Sequence, residues 1–271
     1  MTRIRNRFRR SGVLALAAGA TMAVSACGIS TQQEMQMGQE YAQEIARQVP
    51  LVNDATVLRY LNNLGRSIAQ GGNRSIPYNF YMVDAPQVNA FAVPGGHIYV
   101  NRGLVERTRN ESELAGVLAH EIAHVEHRHG IDQMERAQGA NLALTAAYVL
   151  MGRAPSGVEE ALIGVGGQLY FARHSREAEN EADATAVSLL VRTGISPQGL
   201  PTFFGVLLEE QQRQPGAVEQ WFSTHPLTTD RVANTQAMIN QYPQNTLQRL
   251  RTNSSGFSAM QNRLRQLPRR G

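Results

Sequence analysis

His120-Glu121-Ile122-Ala123-His124 sets two imidazoles four residues apart. On an α-helix that is one turn along one face, so both rings can reach a single ion. Zinc suits such a pair, with Zn–N distances of about 2.0–2.1 Å. Glu121 lies about 100° around the helix from His120, so it cannot stand between the histidines as a ligand. It can instead reach a water at an open coordination position. Zinc brings the pKa of such a water from 15.7 down to about 7, and Glu121 is then the residue to take its proton and return it to a leaving amine. Apolar Leu114, Val117, Leu118, Ile122 and Val125 surround the motif. His and Glu are costly in that setting without a partner or a metal.

A hydrolytic zinc takes three protein ligands. His127 lies on the His120 face but two turns away, too far to share its ion. His127 and His129 are expected to be exposed near the helix end, where positive charge is favourable. A metzincin pattern would place Gly at 127 and His at 130, where this chain has His127 and Gly130. The third ligand is therefore expected from a later helix, and Ser175-Arg176-Glu177-Ala178-Glu179-Asn180-Glu181-Ala182-Asp183 is rich in carboxylates. Glu179 and Asp183 share a face at i and i+4, so one can ligate while the other hydrogen-bonds a ligating histidine. Glu177 and Glu181 point elsewhere and are expected to be solvated. Periodicity alone does not choose the face, though it leaves Glu179 the favoured ligand.

Several elements must position these residues. Met35, Tyr41, Ala42 and Ile45 recur at helical spacing between Thr31 and Gln48, and Pro50 stops the pattern. Asp54 caps a second helix that runs to about Gln70 and closes on Gly71-Gly72-Asn73. Two β-rich runs follow, Tyr78 to Asp84 and Val88 to Val100, the second split by Pro94-Gly95-Gly96 as in a hairpin. Acidic residues after Asn110 open the motif helix, from Glu111 to about Arg128, where the helix dipole favours them. Gln138 to Met151 and a second apolar stretch to about Phe171 form an expected buried helical hairpin, each arm too short to span a bilayer. Helices are expected over Arg176–Arg192 and Pro201–Gln212. Residues 253–271 read as a polar, Arg-rich tail. The result is α+β and mostly helical, with a small β-sheet or hairpin beside the motif helix.

The first 26 residues read as an export segment. Arg3, Arg5, Arg7, Arg9 and Arg10 precede an apolar run from Val13 to Val24, shorter than the roughly 20 residues a membrane span needs. Val24-Ser25-Ala26-Cys27 then resembles the processing site of bacterial lipoproteins, which implies a diacylglyceryl thioether on Cys27, the chain's only cysteine. Gly28 is not the aspartate that holds such proteins at the inner membrane, so an outer-membrane anchor facing the periplasm is expected. The flanks of Arg9-Arg10 fit twin-arginine export poorly. With those five arginines removed, the formal charge of +4 becomes −1, which leaves no electrostatic case for nucleic acid.

Four stretches together resemble the zinc metallopeptidase family of HtpX, BepA, LoiP and the CAAX prenyl proteases. They are Asn89-Ala90-Phe91-Ala92-Val93-Pro94-Gly95-Gly96, the His120–His124 helix, Ser175–Asp183, and Thr224-His225-Pro226-Leu227 with Arg231. The match covers roughly residues 35 to 240 and favours the small lipoprotein members. It implies a zincin-like gluzincin domain over 27–252, with His120, His124 and Glu179 holding one zinc and Asp183 orienting a histidine. It also implies that Asn89, Ala90, Phe91, Ala92 and Val93 form a cleft-edge strand that pairs with an extended substrate. His225 and Arg231 match residues over the active site; they stabilise an oxyanion, or His225 takes the fourth zinc position in a latent form. Two departures matter. The chain lacks the long spans of HtpX and the prenyl proteases, and it has no room for the C-terminal helical repeats of BepA.

The expected activity is therefore a zinc endopeptidase of the bacterial envelope, acting on extended, unfolded or damaged proteins. The alternative is a lipid-anchored, chaperone-like or binding protein with a latent or structural zinc site, for which a base at Glu121 has no use. A hydrolase of cell-wall peptide crosslinks is a third reading, which an extended-strand edge suits less well.

Overall fold

The computed structural model describes residues 28–137 and 174–269. The expected export segment, Cys27 and the apolar hairpin 138–171 lie outside the described residues. Helices α1 (Thr31–Gln48) and α2 (Ala55–Ala69) precede strands β1 (Asn79–Val83), β2 (Ala90–Val93) and β3 (His97–Asn101). Then come α3 (Arg102–Arg107), α4 (Glu111–Glu126), α5 (Arg176–Arg192), α6 (Gly199–Arg213), α7 (Pro215–Thr224), α8 (Thr229–Ile239), α9 (Gln244–Leu247) and α10 (Ser255–Gln266). The helix starts follow local chemistry. Ser30 and Gln33 close a capping box on α1, Asp54 accepts from Thr56 and Val57 on α2, and Asn110, Ser175 and Thr228 cap α4, α5 and α8. Helix α6 begins two residues before Pro201, because proline is tolerated in a first turn whose N–H groups have no helical partner.

The sheet order is β1-β3-β2. Strand β1 runs parallel to β3, with Phe80 opposite Ile98, and β2 runs antiparallel, with Phe91 opposite Tyr99. The β2–β3 connection turns at Gly95 and Gly96, whose φ values of 74° and 83° are accessible to glycine and strained for other residues. Alternation then sends Phe80, Met82, Ala90, Ile98 and Val100 into the main core. Tyr81, Tyr99 and Phe91 stack on the opposite face, at 4.7 and 5.0 Å between neighbouring ring centroids. Helix α1 covers that face through Met37, Tyr41 and Ile45.

Helix α4 is buried from Glu111 to Val125, because it crosses the middle of the molecule between the sheet, α2, α5 and α6. Leu114, Val117, Leu118 and Ile122 belong to the main core. At Gly199, a Cβ would fall 2.0 Å from the Ser112 carbonyl oxygen, so only glycine lets α6 approach α4 so closely. Among the described residues, no helix is long and apolar enough to cross a membrane.

The C-terminal stretch expected to be a polar tail is largely the packed helix α10, with Phe257, Met260 and Leu264 buried. Three apolar residues at spacings of three and four make a stripe that an Arg- and Gln-rich composition hides. Beneath it Arg102, 3% exposed, donates to the Leu264 and Leu267 carbonyls at 2.7 and 2.9 Å. It also pairs with Asp84 at 3.1 Å. Gln261 donates to the carbonyls of Val105 and Thr108. Helix α10 is thus bolted onto α3.

Candidate metal centre

Mid-helix α4 presents His120, Glu121 and His124, all buried. Helix α5 crosses it and brings Glu179 and Asp183 inward, also buried. His225 follows α7, and Arg231 sits in the first turn of α8. The two Nε2 atoms of His120 and His124 lie 3.0 Å apart. Glu179 places one oxygen 3.6 Å from His120 Nε2 and the other 3.4 Å from His124 Nε2. His225 Nδ1 stands 3.1 Å from Glu179 and 3.4 Å from His120 Nε2. One ligand atom from each of these four residues lies within 4.8 Å of all the others.

The outward side of each imidazole decides what faces inward. His120 Nδ1 is 2.9 Å from Asp183 Oδ1, although it is out of line for a well-formed hydrogen bond. His124 Nδ1 is 2.8 Å from Nδ1 of His129. With the N–H groups directed outward, two Nε2 lone pairs and a carboxylate converge, an arrangement that repels itself unless a cation joins them. Two imidazoles and a carboxylate make the three-ligand set of a hydrolytic zinc site with an open fourth position. The buried Oε1 of Glu121 has no hydrogen-bond partner and lies 3.6 Å from His225 Nε2.

Burial raises the Glu121 pKa, opposed by the nearby His225 and His120. Burial would also raise that of Glu179, but the charge and hydrogen bond of His225 hold it well below the ordinary carboxylate range. Burial and then His174 push His124 far down. His225 is raised, because Glu179 and Glu121 outweigh its burial.

Arg231, which by resemblance matches a residue over the active site, directs its donors to the carboxylates of α5. Nε and Nη2 donate to the two Asp183 oxygens at 2.8 Å each, while Nη1 donates to Glu179 at 2.5 Å and to the Pro226 carbonyl at 3.1 Å. All three guanidinium nitrogens are engaged with α5 carboxylates, the geometry of a group that holds Glu179 and Asp183 in place. Strand β2 borders the cleft. Asn89, Ala90 and Val93 are buried and Phe91 and Ala92 half-buried, and Phe91, Ala92 and Val93 line the cleft with Glu121, His124 and His225. The Ala92 backbone hydrogen-bonds the Glu121 carboxylate.

His129 differs from its sequence reading, and His174 had none. His129, expected to be exposed, is 7% exposed. Arg128 adopts a left-handed φ of 57° after α4, which turns the chain so that residue 129 folds back onto His124. Glu181, expected to be solvated, is 54% exposed in its side chain yet pairs with His129 at 3.1 Å and with half-buried His127 at 3.2 Å. His174 escaped the sequence reading altogether. Its ring stacks on His124 with 4.0 Å between centroids, its Nδ1 meets Gln133 at 3.0 Å, and its backbone N–H donates to the Thr224 carbonyl. Burial pushes its pKa down to about 3. A lone histidine before the Ser175 cap carries no spacing signal that could have found it.

Comparison with known proteins agrees with this geometry. Residues 54–239 match the model of peptidase family M48. The beta-barrel assembly-enhancing protease of Escherichia coli K12 is 34% identical over 220 residues, which is 79% of this chain and 45% of that protein. Metalloprotease LoiP of the same strain is 34% identical over 170 residues, covering 63% of this chain and 64% of LoiP. The mitochondrial metalloendopeptidase OMA1 of Schizosaccharomyces pombe is 29% identical over 213 residues, covering 75% of this chain and 60% of OMA1. The chain spans about half the length of the beta-barrel assembly-enhancing proteases it matches. With a family match across most of the chain and a donor set that fits the metal, this protein belongs to peptidase family M48 and its metal is zinc.

Proposed function

We propose that this chain is a zinc endopeptidase of the bacterial cell envelope that hydrolyses extended segments of unfolded or damaged proteins, anchored by a lipid on Cys27. The observation that carries it is the convergence of His120, His124 and Glu179 beside a buried Glu121 oxygen that accepts no hydrogen bond, at the border of strand β2. The lipoprotein-like sequence up to Cys27 and a relative named for β-barrel assembly support the envelope location.

In this reading His120, His124 and Glu179 hold the ion, and Asp183 and Arg231 hold those ligands in place from behind. Zinc supplies a Lewis acid and lowers the pKa of water beside it. Glu121 takes the proton of the attacking water and delivers it to the leaving amine; a carboxyl raised by burial is better matched to that exchange than an ordinary one. The Ala92 amide keeps its carboxylate aimed. Strand β2 supplies the edge along which an extended backbone pairs, giving affinity with little sequence preference. The opposite margin of the sheet is covered: Asn62 bonds both the N–H and the carbonyl of Phe80, and Val52 and Pro50 bond Met82 and Asp84.

The test is zinc content and casein cleavage by the full-length protein in detergent, wild type beside Glu121→Gln. About one zinc in each and a 10²- to 10⁴-fold loss of cleavage in the variant is expected; equal cleavage would sink the assigned mechanism. A second reading, a habitually latent site, draws on His225 as a fourth converging donor. Cleavage that rises in His225→Ala favours latency, and cleavage that falls favours a working role for that imidazole.

A further inference from the structure

His124 differs from His120 in what stands behind it. The Nδ1 of His120 faces a carboxylate, Asp183. The Nδ1 of His124 faces another imidazole, His129 Nδ1 at 2.8 Å, whose far nitrogen lies 3.1 Å from Glu181 Oε2. Only one distribution of protons satisfies this chain of contacts while leaving His124 Nε2 available to a metal. His129 donates Nε2–H to the Glu181 carboxylate and accepts at Nδ1. His124 donates Nδ1–H to that acceptor, and its Nε2 keeps a lone pair directed at Glu179 and His120. Reversing either ring puts two N–H groups, or two lone pairs, against each other at 2.8 Å.

The local backbone is shaped for this contact. A non-glycine residue with φ of 57°, Arg128, lies between the end of α4 and His129, and such a conformation persists where its surroundings hold it. The Arg128 side chain is itself tied to Glu34 and to the Ile29 carbonyl. Glu181 is fixed from a second side by His127, which in turn meets Thr185 at 2.7 Å.

Resting on the zinc site of the proposed function, we propose that Glu181 and His129 form a relay of positioning residues that sets the tautomer of His124 and thereby the affinity of the site for zinc. His129 is not a ligand in this arrangement, because its Nδ1 meets the Nδ1 of His124, on the side of that ring away from the cluster. A carboxylate at the end of the relay draws the His129 proton outward, which strengthens the acceptor offered to His124 and makes the His124 lone pair more basic.

The test is the zinc dissociation constant of the full-length protein, by competition with a chromophoric chelator, with casein cleavage measured separately. His129→Phe keeps the ring and removes the acceptor, and it should weaken zinc about 10- to 100-fold. Glu181→Gln should weaken zinc in the same direction by less. Because the two act in series, the double variant should be no weaker than His129→Phe alone. A hydrogen-bonded imidazole N–H signal of His124 in the zinc-loaded protein should disappear in His129→Phe. Wild-type affinity in both single variants overturns the relay, as do losses that simply add. If His129→Phe does not fold, Glu181→Gln decides alone, since its half-exposed side chain is not needed for packing. A wild-type protein that binds no zinc would sink the zinc peptidase itself; a zinc-loaded wild type with unaffected variants sinks only the relay.

Discussion

Arg231 of α8 grips Asp183 of α5 with two parallel hydrogen bonds of 2.8 Å, and its remaining nitrogen reaches Glu179. The pair is nearly closed to solvent, so breaking it leaves buried carboxylates without their cation. Arg231→Ala should therefore cost about 3–5 kcal/mol of stability, read as a lowered denaturant midpoint. Arg231→Lys keeps the charge without the planar fork and should lose a smaller part. A denaturant midpoint unchanged in Arg231→Ala would refute the positioning role.

Metal removal should be visible without any substrate. A ligand present at 100 times its dissociation constant stabilises by about 2.7 kcal/mol, which in a chain of this size corresponds to a melting point shift of about 5–10 °C. Chelation should lower the melting temperature by that much and added zinc should restore it. A melting temperature insensitive to both would argue that the converging donors of α4 and α5 do not hold an ion.

Alkaline stability should report Tyr78, whose hydroxyl donates to Glu126 at 2.7 Å. Burial, then that carboxylate, raises its pKa above the ordinary value near 10. A phenol raised in the folded state contributes stability that is complete below the unfolded pKa and lost as pH climbs above it. Stability should thus fall above pH 10, by up to about 1.4 kcal/mol per pH unit for each such phenol. The chain contains no lysine, so no lysine amine titrates in that window. Tyr78→Phe should flatten the slope measured between pH 10 and 12; an unchanged slope would show that this phenol titrates normally.

The last helix offers a test of the fold. Phe257 is buried against the main core, so Phe257→Ala should cost about 3–5 kcal/mol. A disordered polar tail would lose almost nothing, and the denaturant midpoint separates the two.

Much of the site follows from spacing within single helices. His120, Glu121 and His124 are one turn of one helix, and Glu179 and Asp183 one turn of another, so the residue types and intervals already state which side chains share a face. Capping residues such as Asp54, Asn110 and Ser175 likewise announce where helices start, because an unsatisfied N–H at a helix end is answered within three residues. What spacing could not supply was the partner across space. That α5 turns Glu179 rather than Glu181 toward His120 and His124 depends on how it crosses α4. That Arg231 grips carboxylates instead of facing the cleft depends on where α8 docks. The burial of His129 depends on one left-handed residue, Arg128, and the stack of His174 on His124 depends on a backbone contact with Thr224. Residue types state the chemistry available, and a period of 3.6 residues states the helix faces that carry it. Which histidines pack behind His120 and His124 follows from the docking of elements distant along the chain, because such contacts leave no local period to read.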